Sequence, residues 1–197
     1  MKYRALATTA AVLGALTLAA CGGHSNSHSG SSDTGAAATG AFNDADVTFA
    51  QSMIPHHEQA IEMADIALDP SVGASEQVRD LATRIKGAQD PEITMMGGWL
   101  TAWGQPMTMD MSDGHDMSSM EVMMSVEEMD AMGAMTGVDF DSMWMEMMIR
   151  HHEGAIAMAV TVKAGSSNPD VLALADQVIA AQQAEIDEME ALLASAG

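Results

Sequence analysis

A twelve-residue segment, MIPHHEQAIEMA at Met53–Ala64, returns as MIRHHEGAIAMA at Met148–Ala159 with nine positions identical, both histidines and the glutamate among them. The duplication extends downstream. VRDLATRIKGAQDPEITMM at Val78–Met96 aligns with VLALADQVIAAQQAEIDEM at Val171–Met189, with eight of nineteen positions matching. The offset falls from 95 to 93 because the loop between the two segments is two residues shorter in the second copy. Each copy therefore carries two apolar-periodic segments joined by a short loop, the pattern of an antiparallel helical hairpin. Two such hairpins close into a bundle with one long crossover between them. The expected fold is all-α, a four-helix bundle of two repeated hairpins.

Boundary signals place the four long helices. Asn43 or Asp44 can cap the first, and Asp69-Pro70 ends it. Ser75 can cap the second, which runs to Trp103-Gly104, where glycine suits a left-handed terminus. Asp139 is the expected cap of the third. Asn168-Pro169-Asp170 opens the fourth with a cap, a first-turn proline and an acid at the positive end of the dipole. Pro55 and Pro91 fall inside helices and are expected to kink them. The bundle domain is read as 43–197, with repeats at 43–104 and 139–195 and a crossover at 105–138.

At about 100° per residue, the apolar stripe of the first helix is Phe49, Met53, Ala60, Ala64 and Ala67, flanked by Ile61 and Leu68. His57 falls inside that stripe, His56 at its edge beside Met63, and Glu58 faces away. The third helix repeats this with Trp144, Met148, His151, His152, Ala155, Met158 and Ala159. The second helix presents Val78, Leu81, Ala82, Ile85, Ala88, Ile93, Met96, Trp99 and Leu100, with Gln89 and Glu92 in the same stripe. The fourth places Gln182 and Glu185 likewise.

A carboxylate brought to a core must be protonated, paired or bound to a cation. Two readings follow. Glu92 could accept a hydrogen bond from His57 and Glu185 from His152, as structural pairs that fix hairpin register. Alternatively, His56, His57, His151, His152, Glu92 and Glu185 form a metal site, with thioethers from Met53, Met63, Met148 and Met158 close by. A di-iron centre of the ferritin type needs Glu-x-x-His pairs, and the chain contains none. No catalytic nucleophile arrangement and no phosphate-cradling glycine loop is present.

The crossover is the second unusual feature. Fourteen of the 21 methionines lie between Met107 and Met148. Met107, Met109 and Met111 alternate with Thr108, Asp110 and Ser112, and His115 follows. Core packing explains methionines in so polar a loop poorly, whereas thioether sulfur is a soft ligand suited to Cu(I) and Ag(I), and imidazole also suits Cu(II). Ser125-Val-Glu-Glu128 is a capping-box pattern, so Met129, Met132 and Met135 are expected on a short helix, as core filler. Sacrificial oxidation of the methionines is a further alternative.

Residues 1–20 read as a leader, with Lys2 and Arg4 ahead of an apolar run too short to span comfortably. The run ends in Leu18-Ala19-Ala20-Cys21, which resembles the bacterial lipobox and implies cleavage before Cys21 and lipid attachment to it. The stretch to residue 42 then reads as a Gly/Ser/Ala tether, in which His24 and His28 are expected to be solvated, with weak metal capture as the alternative. The mature chain would keep five basic and 28 acidic residues, a formal charge of 5 − 28 = −23. Such a surface repels nucleic acid and concentrates cations. Once Cys21 is lipidated no thiol remains for a disulfide or thiolate site. With aromatic residues at 4%, the core is expected to be built from Ala, Leu, Ile, Val and Met.

The two His-His-Glu helices, each followed by Gln-x-x-Glu-Ile, resemble the bacterial family catalogued as domain of unknown function 305. WLTAWG at Trp99–Gly104 and GVDFDSMWMEMMIRHHEGAIAMA at Gly137–Ala159 fit the same pattern. The resemblance covers roughly Asn43 to Leu193. It implies a ferritin-like bundle, usually exported, with a copper-binding role in some members, and its repeated histidines fall on His56, His57, His151 and His152. The combined expectation is a lipid-anchored extracytoplasmic protein that binds copper, Cu(I) foremost, for sequestration or delivery. It is expected not to be an enzyme. The alternatives are a purely structural helical module and a ferritin-like redox enzyme.

Overall fold

The computed structural model describes residues 41–109 and 123–196. Within them lie five helices in the order α1 (Asp44–Leu68), α2 (Glu76–Trp103), α3 (Val126–Gly133), α4 (Gly137–Gly165) and α5 (Pro169–Ala196), and no strand among the described residues. α1 packs on α2 and α4 on α5 as hairpins, the hairpins meet along α1 and α4, and the short α3 lies against α4. The Met-rich crossover thus contains a helix of its own between the two repeats.

Local chemistry accounts for most of the helix ends. Asn43 caps α1 reciprocally: its side chain accepts from the amides of Ala45 and Asp46, and Asp46 Oδ2 accepts from the amide of Asn43 at 2.8 Å. Ser75 caps α2, and Gly104 closes it in the left-handed region at φ 69°. Ser125 and Glu128 form the expected capping box of α3. Asn168 Oδ1 accepts from the amides of Asp170 and Val171 at the start of α5.

One boundary differs. Asp139 does not cap α4, which begins at Gly137 with Thr136 in the cap position and no side-chain cap. Gly137 takes φ 62° there and donates its amide to the carbonyl of Val72 at 2.8 Å, so contact with the α1–α2 loop sets the start. Asp139 instead supplies an acid to the first turn. Pro55 and Pro91 do lie inside α1 and α2.

The interior divides into two apolar clusters. The first joins the C-terminal half of α1 (Ala60, Met63, Ala64, Ala67), the start of α2 (Val78, Leu81, Ala82, Ile85), α3 and the start of α4 (Phe140, Trp144, Met145, Met147, Met148). The second joins the start of α1 (Phe49, Ala50, Met53, Ile54), the end of α2 (Met96, Trp99, Leu100, Trp103) and the facing parts of α4 and α5. Repeat-equivalent residues exchange clusters: Phe49 with Trp144, Met53 with Met148, Val78 with Val171, Leu81 with Leu174 and Met96 with Met189. The two hairpins are therefore related by a pseudo-twofold axis across the bundle, and whatever lies midway along the helices sits on that axis.

Two expectations about the core need correction. Its aromatic residues are few but concentrated inside: Trp144 and Phe140 are fully buried, and Phe49, Trp99 and Trp103 nearly so. A low aromatic share therefore does not make the core aliphatic, because large apolar area is buried first. Ala88 is exposed. It lies at the edge of the α2 stripe, and a single methyl there cannot reach inward.

Candidate metal centre

Between the two apolar clusters lies a polar layer to which every long helix contributes two side chains: His56 and His57 from α1, Gln89 and Glu92 from α2, His151 and His152 from α4, Gln182 and Glu185 from α5. All four histidines are fully buried. Helical periodicity explains why adjacent histidines can both be inside. The hairpin partner covers one edge of the stripe and the opposing hairpin covers the other, so α1 and α4 bury an unusually wide face.

The geometry is nearly twofold. His57 Nε2 lies 2.8 Å from Glu92 Oε2, and His152 Nε2 lies 2.7 Å from Glu185 Oε2. Each carboxylate reaches the surface, 18% and 13% exposed, while its histidine does not. Where α1 and α4 meet, the rings of His56 and His151 stack with centroids 3.7 Å apart. A carboxylate can only accept, so Nε2 of His57 and of His152 carries the proton. In the neutral ring this leaves Nδ1 as the lone-pair nitrogen, facing the interior.

Those inward nitrogens have no partner. Of eleven unpartnered buried side-chain atoms among the described residues, nine belong to this layer: both ring nitrogens of His56 and His151, Nδ1 of His57 and His152, both amide atoms of Gln89, and Oε1 of Gln182. Buried polar groups are ordinarily hydrogen-bonded, so a concentration of nine in one layer sets it apart from the apolar clusters on either side. Burial foremost, then repulsion from His57 and His152, pulls His56 down to about 3. Burial likewise holds His151 well below the usual histidine range, with repulsion from His56, His152 and His57 adding to it and a contact with the His56 backbone opposing it. Both central rings are therefore neutral and keep a lone pair at ordinary pH.

The six charged or imidazole residues share one layer, but they are joined as two His–Glu pairs flanking a His–His stack. Among the described residues, no three His, Cys, Asp or Glu side chains converge as a preformed metal cage. The reason is local: each carboxylate is satisfied by one imidazole, which draws it to the rim. The thioethers distribute around the layer. Met53 and Met148, one turn before the histidines, are fully buried in the second and first clusters respectively. Met63 is fully buried in the first cluster, and Met158 is partly buried against the second.

Met107 is 48% exposed, and Met109 is half-buried. Met111, His115 and Cys21 lie outside the described residues, as do His24 and His28. Two glutamines that sequence patterns did not single out anchor the crossover to α1. Gln51 Nε2 donates to the carbonyl of Pro106 at 2.7 Å, and the Gln59 amide exchanges two 2.8 Å hydrogen bonds with the backbone of Met124. Their eight-residue spacing, which puts both on one side of α1, was the available signal.

The class this defines is a helical bundle made of duplicated His-His hairpins around a buried polar layer. The chain belongs to the family described as Domain of unknown function (DUF305), whose model matches residues 46–193. Among solved structures, a DUF305 fragment from Deinococcus radiodurans is 32% identical, with a TM-score of 0.68 over 78% of this chain and 98% of its own. A DUF305 protein from Streptomyces coelicolor is also 32% identical, with a TM-score of 0.68 over 77% and 93%. CopM in its Cu(II)-bound form is 32% identical, with a TM-score of 0.64 over 77% and 97%, and CopM is also known in Cu(I)-bound and Ag-bound forms. No curated protein matches the chain. No described helix is long and apolar enough to cross a membrane.

Proposed function

We propose that this protein binds copper outside the cytoplasm, as a lipid-anchored sequestration or delivery protein without turnover, and that the polar layer holds the ion. The observation that carries this reading is the cluster of unpartnered nitrogens on His56, His57, His151 and His152. Neutral imidazole lone pairs suit Cu(I) and Cu(II) alike, and flanking thioethers from Met53 and Met148 suit the reduced ion and Ag(I). The bound forms of CopM support the same metals. Glu92 and Glu185 orient the outer histidines in the manner of carboxylate–histidine–metal triads. Met107, Met109, Met111 and His115 would capture the ion first, drawn by the acidic surface, and Cys21 would carry the anchor.

The test is competitive Cu(I) titration against a chromogenic chelator under reducing, anaerobic conditions. Wild type should compete stoichiometrically. Replacing His56, His57, His151 and His152 together by glutamine should lower affinity on the order of 100-fold or more while the bundle stays folded. Replacing Met107, Met109 and Met111 should weaken capture without unfolding. A second reading has its own observation: the two His–Glu pairs are well-formed hydrogen bonds as they stand. If wild type fails to compete at micromolar chelator, the layer is a structural network that fixes hairpin register.

A further inference from the structure

Two residues of the polar layer have no part in that reading. Gln89 and Gln182 are repeat-equivalents, each three positions before Glu92 or Glu185 on the same helix face. They are 2% and 4% exposed. Both amide atoms of Gln89 and the amide oxygen of Gln182 lack a partner. A leucine would fill much the same volume without leaving a buried amide unsatisfied, so the same liability stands at both equivalent positions.

The rings in that layer with neither nitrogen hydrogen-bonded are His56 and His151. An imidazole that gives one nitrogen to a metal keeps the other as an N–H, and that N–H requires an acceptor. For His57 and His152 the acceptors are Glu92 and Glu185. No carboxylate bonds to the central pair, and the unengaged amide oxygens in the layer are those of Gln89 and Gln182. We infer that Gln89 and Gln182 are positioning residues of the copper centre: their amide oxygens accept the N–H of the two central imidazoles when the other ring nitrogens hold the ion. The glutamines thereby fix which nitrogen faces the metal. This rests on the copper reading above.

The discriminating variant is the double substitution Q89L/Q182L in the full-length protein, measured without and with Cu(I). Metal-free, it should melt a few degrees higher than wild type, because two unsatisfied amides have been replaced by apolar groups. Its Cu(I) affinity should fall about 10- to 100-fold, the usual effect of losing an outer-shell partner. Long-range ¹⁵N NMR of the diamagnetic Cu(I) form should show one tautomer for His56 and His151 in wild type and a mixture in the variant. A lower metal-free melting temperature would mean that the amides support the fold, which overturns the inference. So would unchanged affinity and tautomers in a wild type that binds tightly. A wild type that binds no Cu(I) overturns this inference together with the reading beneath it.

Discussion

The two ends of the bundle are copies of each other in sequence and topology, yet they are built of different materials. At one end, eight of the eighteen buried residues are methionines: Met63, Met124, Met129, Met132, Met145, Met147, Met148 and Met189. At the other, only Met53 and Met96 among fifteen are methionines, and the space is filled by aliphatic side chains with Phe49, Trp99 and Trp103. The crossover supplies three of the eight, Met124, Met129 and Met132, and the long helices the other five. Its helix α3 lays Met129 and Met132 over the first cluster. The polar layer between the ends, by contrast, has kept its symmetry residue for residue. What the duplication preserved is the layer. The apolar ends were free to diverge, because any well-filled apolar packing of the right volume holds helices together.

The largest expected effect tests the part that stayed symmetric. His56 falls to about 3 and His151 also lies well below its ordinary value, while both rise to about 6.5 in the unfolded chain. Between those limits the unfolded state binds more protons, so stability rises with pH across the window and is lost as pH falls from about 6.5 toward 3. The limiting slope is about 1.4 kcal/mol per pH unit for each ring. Urea midpoints recorded across that range should fall steeply for wild type. His56→Gln and His151→Gln should each flatten the profile by a similar amount. Unequal flattening would show that the central pair is not functionally twofold.

A smaller effect separates the two ends. Trp144 and Phe49 occupy equivalent positions, but Trp144 also donates Nε1 to the carbonyl of Met63 at 2.9 Å. Trp144→Ala should cost about 3–5 kcal/mol, toward the upper part of that range because the buried hydrogen bond to a helical carbonyl is lost along with the ring. Phe49→Ala should fall toward the lower part, having no such bond to lose. Equal losses in chemical denaturation would mean that the ends differ in composition only.

How much of this was legible beforehand follows from the same contrast. Periodicity and caps placed the four long helices because those signals are local, and the stripe put His57, Gln89, Glu92 and their equivalents inside. The pairing of His57 with Glu92 was readable as one of two options because a buried carboxylate must find a partner. The stacking of His56 on His151 was not, since it depends on how two hairpins approach each other, and no local pattern encodes that angle. Nor was the start of α4, which is set by a glycine amide reaching the carbonyl of Val72 from a distant loop. The thioethers gave the least. Methionine spacing on a helix is the same whether the side chain fills space or waits for a metal.

The smallest expected effect bears on that last ambiguity. Leucine and methionine have similar volume, so converting Met129, Met132 and Met147 together to leucine should shift stability by less than about 1.5 kcal/mol if those methionines serve only as filler. Met53→Leu/Met96→Leu at the other end should behave alike. Peroxide then distinguishes the ends. Oxidation turns an apolar thioether into a polar sulfoxide, so an end lined by eight methionines stands to lose far more packing than one lined by two. After mild peroxide treatment, the triple leucine variant should retain more of its urea midpoint than either wild type or the Met53/Met96 variant. If all three lose the same amount, the Met-rich end is sealed from oxidant as tightly as its counterpart. α3 then acts as a cover, and its methionines contribute only an adaptable fit over the first cluster.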